Sequence, residues 1–275
     1  MNIICHESPF IDSIFHLPLK SYKEDDKFQF IGAPSVHEHI ILNDNCAVIS
    51  FEINGKIHEF NSDLVCGKFT HPPKINIIFK NTAKKLTIIR LKSCGMFKLT
   101  DVPVSSMIDT IVPRSSIDKD CVVNQKGDKY VQMIDSIISS EESLKQSYLT
   151  TQQIIQYINT HFSHLPTNVS GVIAKEFNIS ESTLRRYFKK YLGINLSTYI
   201  MTVKRKKMIQ SLYENNYDSM SVRESGYYDQ SHFLNDFKRL YGIPLKQYFK
   251  NMKILQTQAP EFMKFVYHCN IQSDI

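Results

Sequence analysis

Ser182, Thr183, Arg185, Arg186, Lys189 and Lys190 fall within nine consecutive positions, and Gln230, Ser231, His232, Asn235, Lys238 and Arg239 fall within ten. Both groups are built from hydrogen-bond donors and positive charge, with neither a carboxylate pair nor a nucleophile beside a base. A guanidinium presents a planar fork that meets two acceptors at once, as on the edge of guanine, whereas an ammonium acts as a point charge suited to phosphate. The chemistry these residues offer is recognition of an anionic partner with flat acceptor edges.

For such groups to act together, something must hold them at the start of a helix and turn the apolar neighbours inward. The sequence supplies this twice. Phe188-Lys189-Lys190-Tyr191-Leu192-Gly193-Ile194 returns as Phe237-Lys238-Arg239-Leu240-Tyr241-Gly242-Ile243, and Ser182/Ser231, Leu184/Phe233, Leu196/Leu245 and Tyr199/Tyr248 keep the same offset of 49 residues. A register held across both sides of a glycine reads as one helical unit used twice. In the first unit Ala174 lets one helix approach the next closely and Ser180 stands as N-cap. Leu184 and Phe188, four apart, point to the core and leave Ser182, Arg185 and Arg186 outside. In the second, Gly226 suits the turn, Asp229 the cap, and Phe233 and Phe237 the inward pair.

Charge follows the same division. Residues 151 to 253 carry 15 Lys and Arg against 7 Asp and Glu, and the remainder carries 18 against 20. The basic excess therefore belongs to the C-terminal part and favours nucleic acid or another anionic surface there. An apolar fraction of 42% and a charged fraction of 22% are those of a globular protein, with length enough for two domains. No run reaches the roughly 20 apolar residues of a membrane-spanning helix, and Met1 to Glu7 lacks the pattern of an export signal, so the cytoplasm is the expected location. Cys5, Cys46, Cys66, Cys94, Cys121 and Cys269 are scattered and read as reduced structural thiols.

From about residue 26 to 100 the pattern alternates or forms short apolar runs. Cys46 to Ile53, Asn54-Gly55 and Lys56 to Phe60 read as a hairpin, because Asn-Gly accepts the positive φ that a two-residue turn requires. Ile75 to Phe79 and Leu86 to Leu91 read as a further pair around Asn81 to Lys84, and His37 to Leu42 as another strand. Asp101-Val102-Pro103 reads as a helix start, with Val104, Met107, Ile108 and Ile111 at helical spacing. A helix is expected over Asp128 to Ile138, a linker over Ser139 to Ser147, and a further helix from Thr150 or Thr151 with Ile154, Ile155, Ile158 and Phe162 as its stripe. Phe262, Phe265 and Val266 suggest a short helix packing on either domain.

In these motifs residues 151 to 250 resemble the DNA-binding region of AraC-type (AraC/XylS) bacterial transcription regulators. The resemblance is carried by Ile173-Ala174, Ser180, Leu184, Arg186, Phe188-Lys189-Lys190 and Gly193, then by Gly226-Tyr227-Tyr228-Asp229-Gln230-Ser231-His232-Phe233, Phe237-Lys238-Arg239, Gly242-Ile243-Pro244 and Tyr248. It implies two helix-turn-helix subdomains joined by a long helix, here about Leu196 to Tyr213, that read adjacent major grooves of duplex DNA. It implies a β-rich domain ahead of them for effector sensing or dimerisation, and with it a small-molecule effector, a second copy of the chain and RNA polymerase as further partners. Three positions depart from the family: Ser221-Val222 where Ile-Ala is usual, Asn235 where Arg is common, and Met208 in place of Ala.

The expected architecture is α+β in two domains. Residues 1–140 form a small antiparallel β-rich domain with flanking helices, 141–150 a linker, 151–253 the double helix-turn-helix domain, and 254–275 an extension. No cofactor and no catalytic residue is expected. The rival is a metal-dependent enzyme or small-molecule binder in residues 1–120, supported by His37 and His39 on one face of a strand with His58 or His71 as a third ligand. The plainer reading of that pair is an exposed or hydrogen-bonded one, and the plainer reading of Lys204-Arg205-Lys206-Lys207 is a solvated helix surface. His232 could as well hydrogen-bond within the cap as reach DNA.

Overall fold

The computed structural model describes residues 2–5, 11–100, 102–117, 145–162, 168–214 and 230–268, with the single positions 129, 130, 132, 134 and 165. Among these residues ten strands pair antiparallel: β1 (Asn2–Cys5), β2 (Ile11–Pro18), β3 (Lys27–Ile31), β4 (His39–Leu42), β5 (Ala47–Ile53), β6 (Lys56–Phe60), β7 (Leu64–Cys66), β8 (Lys74–Phe79), β9 (Lys85–Leu91) and β10 (Ile111–Pro113). They form a six-stranded sheet in the order β1-β2-β9-β4-β7-β10 and a four-stranded sheet in the order β3-β8-β5-β6. Phe15, Ile41 and Ile88 of the first face Phe28, Phe51 and Ile77 of the second in one core. The next residues along the first sheet, Ile14, Ile40 and Ile89, point the other way and pack under helices. A sheet buried on both faces reads as an unbroken apolar run, whereas one covered on a single face alternates. This is why β9 and β4 are continuous and β8 is not.

The Asn54-Gly55 hairpin joins β5 to β6 with φ of 51° and 75°, and Ile53 stands opposite Lys56. The expected pairing of Ile75–Phe79 with Leu86–Leu91 does not occur. β8 already has β3 and β5 on its two sides, so it offers no edge. Residues 80 to 84 instead carry the chain across to the other sheet, where β9 lies between β2 and β4.

The helix expected from Val102 is also replaced. Val104–Met107 is a single 3-10 turn, and Ile111–Pro113 adds β10 to β7. Asp109 takes φ 50°, and its carboxylate accepts from the backbone and hydroxyl of Thr70 at 2.7 and 2.5 Å, which fixes a corner where the helix would have run. Pro113, with no N–H to give, ends the edge strand. The helix expected over Asp128 to Ile138 falls mostly outside the described residues; within it, Tyr130 and Ile134 are buried.

Among the described residues eight helices follow the strands or interrupt them: α1 (Met96–Leu99), α2 (Gln146–Thr160), α3 (Val169–Glu176), α4 (Glu181–Leu192), α5 (Leu196–Glu214), α6 (Gln230–Tyr241), α7 (Leu245–Gln258) and α8 (Pro260–Val266). α2 begins a turn before the expected Thr150. The buried Tyr148 draws that turn in, packing edge-on to Tyr191 at 5.4 Å and stacking on Phe97 at 6.2 Å. No helix among the described residues is long and apolar enough to cross a membrane.

The helical part does not pack as one body apart from the sheets. α2, α3, α4 and the first half of α5 rest on the outer face of the six-stranded sheet. Met208, Ile209 and Leu212 in the second half of α5 join α6, α7, α8 and the sandwich interior. α5 therefore changes sides between Val203 and Met208.

Both helical units end on a left-handed glycine, Gly193 at φ 76° and Gly242 at φ 70°. An added Cβ at Gly193 would come within 2.8 Å of the Val104 carbonyl oxygen, while one at Gly242 meets nothing within 4 Å. Gly242→Ala is expected to lose about 1–2 kcal/mol from backbone strain alone. Gly193→Ala is expected to lose more, because the Val104–Ser105 turn must also move; urea midpoints of the two variants measure the difference.

Candidate nucleic-acid interface

Asn168 caps α3 through the Gly171 amide at 3.2 Å, and Asn178, at φ 50°, turns the chain toward α4. The Ser180 hydroxyl accepts from the Thr183 amide at 3.1 Å, satisfying one of the free donors at the start of α4. Glu181 adds negative charge in that first turn, where the helix dipole favours it. Leu184, Phe188, Tyr191 and Leu192 form the buried stripe. The opposite face is fixed as a result: Ser182, Arg185, Arg186, Lys189 and Lys190 are exposed, and Thr183 is half-buried.

These exposed side chains are not equally free. Lys189 donates to the Gly193 carbonyl at 3.2 Å and so closes its own helix. The Lys190 ammonium lies 5.0 Å from the Tyr191 ring and 5.8 Å from Phe97. Ser182 and Thr183 share the Ser180 hydroxyl at 2.8 and 3.0 Å. Arg185 and Arg186 form no ion pair among the described residues, and the Arg186 guanidinium lies 6.0 Å from the Tyr187 ring.

In α6, Phe233 and Phe237 are buried, and Phe237 stacks on Tyr241 at 4.1 Å. Ser231, Asn235, Lys238 and Arg239 are exposed. Gln230 and His232 lie on the helix, but their side chains are outside the described set, as are Ser221-Val222, Gly226 and Asp229 with the helix that would precede α6. Met208 is buried in the core that α6 joins.

A link invisible in the sequence ties α6 to α5. Asp236, 9% exposed, accepts from Arg239 at 2.5 Å and lies 3.7 Å from Arg205. The i,i+3 spacing of Asp236 and Arg239 was a usable signal; the approach of Arg205 from another helix was not. The basic run of α5 is thus no solvated surface. Lys206 is 3% exposed, Lys207 lies 4.7 Å from the Phe162 ring, and Lys204 and Lys207 are held below the usual lysine range by burial. The reason is that α5 is packed by the first module on one side and the second on the other.

The histidines do not converge. His37 hydrogen-bonds the Leu91 carbonyl at 2.8 Å at the junction with α5, while His39 turns into the sandwich. His58 is exposed on β6, and His71 lies 3.5 Å from Asp109. Among the described residues no three His, Cys, Asp or Glu side chains gather as a metal site would require.

Residues 173–251 match the family described as "Helix-turn-helix domain". The HTH-type transcriptional activator CfaD of Escherichia coli is 31% identical over 84 residues, which cover 30% of this chain and 31% of CfaD. The match thus spans about a third of that curated relative. Among solved structures, ToxT from Vibrio cholerae is 11% identical with a TM-score of 0.43, covering 86% of this chain and 96% of that one. Unsaturated fatty acid-bound ToxT from the same organism is 10% identical with a TM-score of 0.42, covering 91% and 97%. The AraC-like transcriptional activator CuxR is 11% identical with a TM-score of 0.25, covering 78% of each chain. At such scores the overall likeness is loose, and the sequence match shows a helix-turn-helix domain over residues 173–251.

Proposed function

We propose that this chain, whose residues 173–251 are a helix-turn-helix domain of the AraC type, is a sequence-specific DNA-binding transcription regulator acting in the cytoplasm. In this reading α4 and α6 enter successive major grooves of a duplex. Arg185 and Arg186 meet base edges, with Ser182, Thr183, Gln230, Ser231, His232 and Asn235 beside them at the two helix starts. Lys189, Lys190, Lys238 and Arg239 serve the phosphates. The β sandwich senses an effector or joins a second copy, RNA polymerase is a further partner, and no catalysis is assigned. In this division of labour residues 1–140 are the sensing or dimerisation part, 151–253 the DNA-binding part and 254–275 an extension; residues 146–150, expected within the linker 141–150, belong to α2 instead.

The observation that carries the reading is the pair of exposed arginines, without an ion-pair partner among the described residues, on a capped helix inside the matched span. Genomic footprinting of the tagged protein tests it. One enriched motif with two half-sites is the expected result, whereas even coverage of the genome would make the chain an architectural binder. Against the metal-dependent rival, His37 and His39 line different cavities.

α6 presents a short amide where the family commonly has Arg, so it should read more weakly than α4. Asn235→Ala is expected to lower affinity for the footprinted site less than Arg185→Ala does, measured by fluorescence anisotropy on the same duplex. A larger loss from Asn235→Ala would reverse the ranking of the two helices.

A further inference from the structure

The chain's last described helix sits inside the β sandwich. Gln258 ends α7, Ala259 breaks the direction with φ −146° and ψ 70°, and Pro260 opens α8. Phe262 is fully buried, stacked on Phe28 at 4.7 Å, with Phe30 and Phe79 at 5.9 and 6.1 Å. Phe265 and Val266 follow it in and are also buried. Together with Phe262 they close a cavity of about 40 Å³ whose other walls include His39 and Cys66 of the six-stranded sheet and Phe51 of the four-stranded one. Seven residues make a helix too short to persist alone, so these apolar contacts are what hold it.

The other end of the segment is tied elsewhere. Tyr267 stacks on Tyr213 at 4.4 Å, and its hydroxyl donates to Glu214 at 2.6 Å, both at the last turn of α5. The His268 carbonyl accepts from Arg90 at 3.0 Å, and Arg90 is itself held by Asp12 at 2.5 Å. One short segment thus touches the sandwich interior, the buried Arg90 of β9 and the end of the helix that joins the two modules.

We propose that the sandwich interior is a docking site for the chain's own C-terminal helix, and that the seated helix couples this interior to the second helix-turn-helix module through the end of α5. Withdrawal of α8 opens the cavity and frees Tyr213 and Glu214 in one step. Reciprocally, a shift at the end of α5 loosens the plug, because both contacts belong to one segment. The coupling does not depend on what the helical modules bind.

Cys66 reports the state of the plug. It lines the cavity beside α8, whereas Cys94 lies on the far side of the six-stranded sheet, where its backbone carbonyl accepts from Tyr148 at 3.4 Å. Burial pushes both thiols up, that of Cys94 to about 12, so both should alkylate slowly in the native chain. The full-length protein is treated with N-ethylmaleimide, and labelling at each cysteine is followed by peptide mass spectrometry. Phe262→Ala is expected to speed Cys66 relative to Cys94 by at least roughly tenfold. Tyr213→Ala and Tyr267→Phe, neither of which lines the cavity, should do the same by about tenfold or less, in keeping with the loss of one stacking or charge-assisted contact. A rise confined to Phe262→Ala would overturn the coupling, and so would an equal rise at Cys94 in every variant. Tyr267→Phe removes a single surface hydroxyl and decides the matter if Phe262→Ala does not fold.

Discussion

Arg185→Ala and Arg186→Ala are each expected to weaken binding to the footprinted operator by about 5- to 150-fold, the equivalent of one bidentate base contact. Binding to a scrambled duplex should fall far less. Ser180 sets where α4 begins, and Leu184 and Phe188 set which way it faces. The two guanidinium groups are then left on the exposed side within its first two turns. Neighbouring Lys189 and Lys190 are occupied by a carbonyl and by aromatic rings, so less of the discrimination can come from them. Anisotropy titrations over a series of salt concentrations separate the two kinds of contact. A lost base contact leaves the salt slope unchanged and erases the preference for the operator, whereas a lost phosphate contact lowers the slope by about one and affects both duplexes alike. Equal losses on the two duplexes would assign these arginines to the backbone.

The helical half was legible because its rules are local. Caps, left-handed glycines and inward residues four apart depend on neighbours a turn away, and the two units keep them in step: Gly193 with Gly242, Leu184 with Phe233, Tyr199 with Tyr248, each pair alike in conformation or burial. The Asn54-Gly55 turn was legible for the same reason. Strand partnership was not, since β8 and β9 are both good strands and only the prior claim of β3 and β5 on β8 sends β9 to the other sheet. Nor could spacing show that Lys206 is buried, because that follows from α5 being shared by two cores. The apolar character of Phe262, Phe265 and Val266 was plain, but their seat between two sheets far earlier in the chain was a matter of tertiary packing alone.

Glu38, between His37 and His39, makes the second large expected effect. It and Lys68 are both fully buried and form an ion pair, and the second Glu38 carboxylate oxygen, Oε2, has no hydrogen-bond partner among the described residues. Burial raises the Glu38 carboxyl above the ordinary carboxylate range, and the Lys68 ammonium pulls it part of the way back. Lys68→Met removes that pull and leaves the carboxylate alone in an apolar setting. The expected cost is about 3–5 kcal/mol at pH 8, as for other buried pairs broken on one side. A carboxyl whose folded pKa lies above its unfolded value lets the folded chain hold a proton that the unfolded chain releases. The associated stability is complete below the unfolded value and is lost as pH rises through the folded one. The variant should therefore recover part of its loss at pH 5. Replacing both partners, in Lys68→Met with Glu38→Met, should restore most of it at either pH, because no charge is left unpaired. Urea unfolding at pH 5 and pH 8 measures all three chains. A Lys68→Met deficit that stays constant with pH would mean that Lys68 contributes through packing of its aliphatic stem, and that the charge on Glu38 is balanced by other groups.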